Sequence, residues 1–310
     1  MTRVSLMGEC MIELNGTPFA AMNQTFGGDS FNTALYLSRL APDLEVEYVT
    51  ALGEDAISDG MIERWQTEGI DTRSVLRDPQ HQPGLYLIEL DPQGERTFLY
   101  WRSDSAARYL LRHPEYPRVK QFMKSSDILY LSGISVAILP EDDRQQLLED
   151  LEELSRSGVK LVFDSNYRPA LWQDPAKARD CYQRLLSICS LALVTDDDEQ
   201  LLWGDDDAQQ IISRIHQQGC PQIILKQGAQ GCIYSHQSEQ QHIPTLEIAN
   251  PVDTTAAGDS FNAGFLAGWA HGLSPAECCK KGHALAKEVI NQRGAIIPPA
   301  KMQHLCPTQD

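Results

Sequence analysis

DTTAAGDS, Asp253 to Ser260, runs directly into FNAGFLAGWA, Phe261 to Ala270. A run of small residues ends in glycine, a carboxylate follows at once, and an apolar helix pattern comes after it. The first N–H groups of a helix have no acceptor within the helix, and with the helix dipole they attract anions. Small side chains at Ala256, Ala257 and Gly258 let a phosphate come close to the backbone. Asp259 would then stand where an attacking hydroxyl gives up its proton, with the dipole holding its carboxylate ionised. An anion cradle beside a positioned base is what phosphoryl transfer requires. Taken alone, the Asp-Ser pair also reads as the acidic first turn of an ordinary helix.

Around this stretch, strand and helix patterns alternate. VSLMGE (4–9), YVTAL (48–52), ILYLSG (128–133), KLVFD (160–164), LALVT (191–195) and QIILK (222–226) read as strands. GDSFNTALYLSRL (28–40) has helical spacing at Phe31, Leu35, Leu37 and Leu40. Asp174-Pro175 reads as an N-cap with proline in the first turn, and Ser274 to Glu277 as a capping box. Alternating β and α units predict an α/β fold, a mostly parallel central sheet with helices on both faces. One region breaks the alternation. GLYLIEL (84–90), the turn 91–94 and ERTFLYWR (95–102) read as a hairpin with no crossover helix. It is expected to leave the main sheet as a small β lid built from about 10–26 and 82–104, within a single domain spanning 1–310. The acidic clusters Asp196 to Glu199 and Asp205 to Asp207 read as solvated helix starts.

Bulk properties narrow the function. The chain has 310 residues and a net charge of -17, which argues against a nucleic-acid partner. An anionic substrate must therefore meet a locally basic pocket. No run of about 20 apolar residues predicts a membrane span, and the N-terminus lacks the pattern of a signal peptide. The eight cysteines show no C-x-x-C pair and read as buried free thiols of a cytoplasmic protein. Neither a P-loop nor a dinucleotide fingerprint occurs.

Other segments carry chemistry of their own. Gly27-Gly28-Asp29 precedes a helix containing Asn32, and Gly28 would permit close backbone approach. DSNYRPALW (164–172) follows a strand, where ligands of an open parallel sheet bind. Arg168 in that loop could pair with a carboxylate in bidentate fashion, or be a surface ion pair. Tyr100 and Arg102, two apart on a strand, share a face. Tyr86 lies on the other arm of the hairpin, and the sequence does not fix its register. Lys226, Gly228 and Gly231 follow a strand, and Gly-Ala-Gln-Gly alone is an ordinary hairpin turn.

In combination and order, GGDSFN, PGLY, ERTFLYWR, DSNYRPALW and DTTAAGDS resemble the ribokinase (PfkB) family of sugar kinases over Val4 to Pro298. Within it they are similar to the branch that phosphorylates 2-keto-3-deoxygluconate. The resemblance implies a ribokinase-like fold with ATP and Mg²⁺ as cofactors, and it leaves room for a monovalent cation such as K⁺. It implies Asp259 as general base and Ala256, Ala257 and Gly258 as anion hole. Gly28, Asp29, Asn32, Tyr86, Tyr100, Arg102, Arg168 and Asn291 would contact the sugar acid. Asn166, Arg168, Lys226, Gly228 and Gly231 would line the nucleotide site, and Glu199 would be linked to magnesium. Neutral-sugar kinases of the family, of fructokinase or ribokinase type, are the nearest alternative, and a non-catalytic sugar-binding protein the more distant one. A homodimer or higher homo-oligomer through the lid would cover an open sheet edge.

Overall fold

The computed structural model describes residues 1–17, 19–90, 96–246 and 248–307. The central sheet has nine strands, and its middle is built from the segments richest in β-branched and aliphatic residues. The chain enters it through β1 (Arg3–Met7) and leaves at once for a second sheet with β2 (Met11–Gly16) and β3 (Met22–Gly27). It returns through β4 (Glu45–Gly53) and β5 (Val75–Asp78), then leaves again for β6 (Leu85–Leu90) and β7 (Arg96–Trp101). From there it stays with the central sheet: β8 (Ile128–Ser132), β9 (Lys160–Asp164), β10 (Leu191–Thr195), β11 (Gln222–Lys226), β12 (Cys232–His236) and β13 (Glu239–Ile243). The strand order is β13-β12-β11-β10-β9-β8-β1-β4-β5. All pairs from β11 to β5 are parallel, and β12 and β13 add an antiparallel edge.

Period-two alternation divides each central strand between two cores. Ile128 and Tyr130 of β8 face one core, Leu129 and Leu131 the other. The first core is closed by α1 (Asp29–Leu40), α2 (Ala56–Thr67), and the helices named α9 (Ala257–Ala270) and α10 (Pro275–Ile290) below, with Phe31, Trp65, Phe265 and Leu285 among its members. The second is closed chiefly by α3 (Tyr116–Lys124), α5 (Glu141–Arg156), α6 (Pro175–Ile188) and α8 (Ala208–Gln217). Two short helices, α4 (Gly133–Ala137) and α7 (Asp196–Trp203), start where β8 and β10 end.

The expected helix signals are in place. Asp174 caps α6 by accepting from the Ala176 N–H at 2.8 Å, and Ser274 with Glu277 forms the capping box of α10. Asp207 caps α8. The acidic clusters are not uniformly solvated: Glu199 is buried and Asp205 pairs with Arg214. The small sheet has the order β3-β2-β6-β7. Its β6–β7 register sets Tyr86 directly opposite Tyr100. The turn expected at 91–94 lies outside the described residues. All eight cysteines are free thiols, and every one but Cys306 is buried. Among the described residues no helix is long and apolar enough to cross a membrane.

Candidate active site

Parallel strands deliver their last residues to one rim of the sheet, so β9, β10 and β11 bring Asp164, Thr195 and Lys226 side by side. Above them lies a cavity of about 570 Å³. The small sheet covers it with Tyr86, Phe98, Tyr100 and Arg102, and the start of α9 closes its floor with Ala256 to Asp259. A second cavity of about 380 Å³ adjoins the first. Its walls are mainly apolar: Ile248, Pro251, Phe261, Ala286 and Ile290, with Gly228 and Gly231 on one side. Thr195, Lys226, Thr254, Ala257 and Gly258 line both cavities. The start of α9 is therefore the partition between them.

The helix start has the form an anion needs. Ala256, the N-cap of α9, takes a left-handed conformation with φ 60° and makes no side-chain capping hydrogen bond. Left-handed alanine is strained, and such strain clusters at functional sites. A Cβ built on Gly258 would meet only the Lys226 Nζ, at 3.7 Å, so the glycine leaves an open approach.

Asp259 lies in the third position of α9 and accepts a hydrogen bond from Asn32 Nδ2 at 2.8 Å. Asn32 sits in the first turn of α1, and Asn166 donates to Asp29 of the same turn at 2.7 Å. Asp259 lines the cavity and is only partly exposed. Burial pushes its pKa well up, and the Asp29 carboxylate adds to the rise. The Asn32 hydrogen bond and Lys226 oppose this only in part. The helix dipole expected to keep this carboxyl ionised is thus opposed by burial and a like charge, which both raise its pKa. Asp29 is raised as well, by burial first.

The expected basic pocket is not what the fold builds. Glu9, Asp29, Asp164, Asp197, Asp198 and Asp259 line the larger cavity, against Arg102, Arg168 and Lys226. Each cation is already paired. Arg102 reaches Glu9, Arg168 Nη1 lies 3.1 Å from Asp198, and Lys226 Nζ lies 3.2 Å from Asp164. Burying a lone cation is costly, which accounts for the counter-charges of Arg102 and Lys226, whereas Arg168 is half exposed.

Most of the sequence-predicted residues meet here. Asp29, Asn32, Tyr86, Tyr100, Arg102, Asn166 and Arg168 line the larger cavity, Gly228 and Gly231 the smaller, and Lys226 both. Asn166 therefore faces the larger cavity and not the apolar one. Tyr86 donates its hydroxyl to Glu13, so its polar tip is engaged within the small sheet. Gly28 is required by the protein itself: a Cβ there would lie 2.1 Å from the Glu9 carbonyl. Two residues are placed elsewhere. Asn291 ends α10 and bonds back to the Lys287 carbonyl at 2.8 Å, lining neither cavity. Glu199 is buried against Arg214 at 2.7 Å, because the fourth residue of α7 points into the protein, and its neighbours Asp197 and Asp198 face the cavity instead. Sequence reasoning missed Asp164, Glu9 and Asn262. Asp164 had a signal, an acid at the carboxyl end of a strand, and Asn262 lies one helical turn beyond Asp259.

Over residues 1–302 the chain matches the family described as pfkB family carbohydrate kinase. It is 50% identical over 309 residues to a 2-dehydro-3-deoxygluconokinase of Haemophilus influenzae, covering 98% of both chains. To the 2-dehydro-3-deoxygluconokinase of Escherichia coli K12 it is 41% identical over 305 residues, covering 97% of this chain and 98% of that one. Its fold is similar to the crystal structure of a putative Ribokinase II in complex with ATP and Mg²⁺ from E. coli, with TM-score 0.85, 20% identity, and 98% and 99% of the two chains covered.

Proposed function

Because the chain belongs to the pfkB family of carbohydrate kinases, we propose that it transfers the γ-phosphoryl group of ATP to the 6-hydroxyl of 2-keto-3-deoxygluconate. Relatives of that activity at 41–50% identity over nearly the whole length support the substrate. The observation that carries the reaction is Asp259 beside an uncapped helix start shared by two cavities.

The larger cavity takes the sugar acid. Arg102 and Arg168 face it, and a substrate carboxylate can share either guanidinium with Glu9 or Asp198, since each Arg carries five donors. The smaller cavity suits a flat, apolar base, with Gly228 and Gly231 letting the backbone approach it. The triphosphate then crosses the partition, where the first N–H groups of α9 meet its oxygens. Asn32 holds Asp259 in position. As the new P–O bond forms and the bond to the ADP oxygen breaks, Asp259 accepts the hydroxyl proton. Its raised pKa makes it a stronger base than an ordinary carboxylate once ionised.

No group of three or more potential metal ligands gathers among the described residues. Magnesium would then be held mainly by nucleotide phosphates and water, and Asp197 and Asp198, which line the cavity, could join through water. Bound so, the ion would offset negative charge on the phosphates. Glu199 is committed to Arg214 and is not part of this proposal. The small sheet acts as a lid, and its open edges favour a homodimer formed lid to lid in the cytoplasm. The test is a panel of sugar acids and neutral sugars assayed with MgATP. A clear preference for 2-keto-3-deoxygluconate is expected, and a preference for fructose or ribose would overturn the substrate.

A further inference from the structure

Lys226 is the one lysine or arginine among the described residues that lines both cavities. It is the last residue of β11, and only 8% of its surface is exposed. An ammonium group has three N–H donors. One meets Asp164 Oδ1 at 3.2 Å and another meets Asn262 Oδ1 at 3.1 Å. The third is left for the side of Gly258, where a built Cβ would meet this Nζ at 3.7 Å and, apart from its own helix backbone and chain neighbours, no other described atom within 4 Å.

The holders are themselves fixed. Asn262 is fully buried and turns its Nδ2 to Asp164 Oδ2 at 3.0 Å and to the Tyr130 hydroxyl at 3.1 Å. Tyr130 in turn donates to Asp164 at 3.2 Å. Asp164 thus receives three donors, which keeps its charge compensated and makes it a rigid anchor. The whole cluster sits beneath the partition that the triphosphate must cross, in a cavity where carboxylates outnumber cations.

On the reading of this protein as an ATP-dependent kinase, we infer that Lys226 is a catalytic residue whose remaining N–H contacts the phosphoryl group in transit, and that Asn262 is a positioning residue that aims it. Lys226 keeps all its protons. The sugar proton goes to Asp259, the bond from phosphorus to the ADP oxygen breaks, and Lys226 offsets the charge on the moving phosphoryl oxygens. Carboxylates this close to Asp259 would otherwise repel the phosphate.

The test separates the γ-phosphoryl from the rest of the nucleotide. Calorimetric titration of Lys226→Met with a non-hydrolysable ATP analogue and with ADP, both with Mg²⁺, is expected to show at least ~10-fold weaker binding of the analogue and ADP binding within about threefold of wild type. Turnover falls by at least ~10²-fold with the sugar KM little changed. Equal weakening of both nucleotides, or of neither, overturns the assignment. If Lys226→Met fails to fold, Lys226→Met/Asp164→Asn removes both charges of the buried pair and is titrated in its place. Asn262→Leu should lower kcat at unchanged sugar KM, and should add nothing in the Lys226→Met background. Additive losses would show that Asn262 acts independently of Lys226. Failure of wild type to phosphorylate the sugar acid would overturn the substrate alone, because the nucleotide titration needs no sugar.

Discussion

Asp259 answers to two opposed demands, basicity for the reaction and neutrality for the fold. Its folded pKa is raised by burial and by Asp29. Below the unfolded carboxylate range both states hold the proton. As pH rises past that range, the unfolded chain ionises first, so stability is lost until the folded pKa is passed. Asp259→Asn is therefore expected to melt higher than wild type at pH 8, with the gap narrowing toward pH 4.5, as followed by thermal unfolding. The same variant should lose roughly 10²–10⁴-fold in turnover. A variant that melts lower at pH 8, or keeps its turnover, would remove Asp259 from this role. Asp29 is the neighbour that raises it, so Asp29→Asn should move the acid limb of kcat/KM to lower pH, whatever it does to the sugar KM. Arg168 presents a different case. Half of its side chain is exposed and it is already paired with Asp198, so solvent and a competitor weaken its hold on a substrate. Arg168→Leu should raise KM for the sugar acid by roughly 10- to 30-fold, and for neutral sugars far less. Equal rises on both would make Arg168 a loop support only. The sequence named Asp259 and Arg168 through their motifs, but their counter-charges, Asp29 and Asp198, come from other segments of the chain.

At the scale of the element, α9 shows two glycines required for quite separate physical reasons. Gly258 faces open space, whereas a Cβ on Gly264 would lie 2.6 Å from the Lys281 carbonyl of α10. Gly258→Val should fold with a melting temperature near that of wild type and lose ~10²-fold or more in turnover, since it blocks the phosphate approach. Gly264→Ala should do the reverse: overpacking costs about 1–3 kcal/mol, which lowers the melting temperature by several degrees while kcat per folded molecule changes little. Swapped outcomes would mean that the anion site lies elsewhere on the helix. Three central strands were legible residue for residue, whereas β5 was not read. KLVFD, LALVT and QIILK are β9, β10 and β11 as read. They are central strands buried on both faces, so each appears as an unbroken apolar run. The antiparallel strands β12 and β13 were not read; β13, the edge strand EQQHI, is mostly exposed and carries no such run.

For the whole molecule, the small sheet is the part that an assembly would use. It leaves β3 and β7 as open edges, and Tyr100 and Trp101 of β7 are more than half exposed. Sedimentation analysis is expected to show a dimer, and Trp101→Glu to shift it toward monomer with thermal stability nearly unchanged. A monomeric wild type at micromolar concentration would remove the lid-to-lid pairing. What the sequence determined by itself was local in origin. Periodicity gave the α/β alternation, turn and cap residues gave the boundaries of α6 and α10, and the run DTTAAGDS gave the helix start, since each signal lies within a few residues of its effect. What only the tertiary structure decided was which charges meet. Asp259 and Asp29 are far apart in sequence, as are Lys226 and Asp164, Arg102 and Glu9, and Glu199 and Arg214, the pair whose members stand closest along the chain. Charge pairing depends on distance through space, and in a low dielectric it sets whether a carboxylate becomes a base, an anchor or a counter-ion. That is why the acidic lining of the cavity and the loss of Glu199 to Arg214 could not be read from spacing, and why the parallel sheet, which gathers the ends of distant strands at one rim, had to form first.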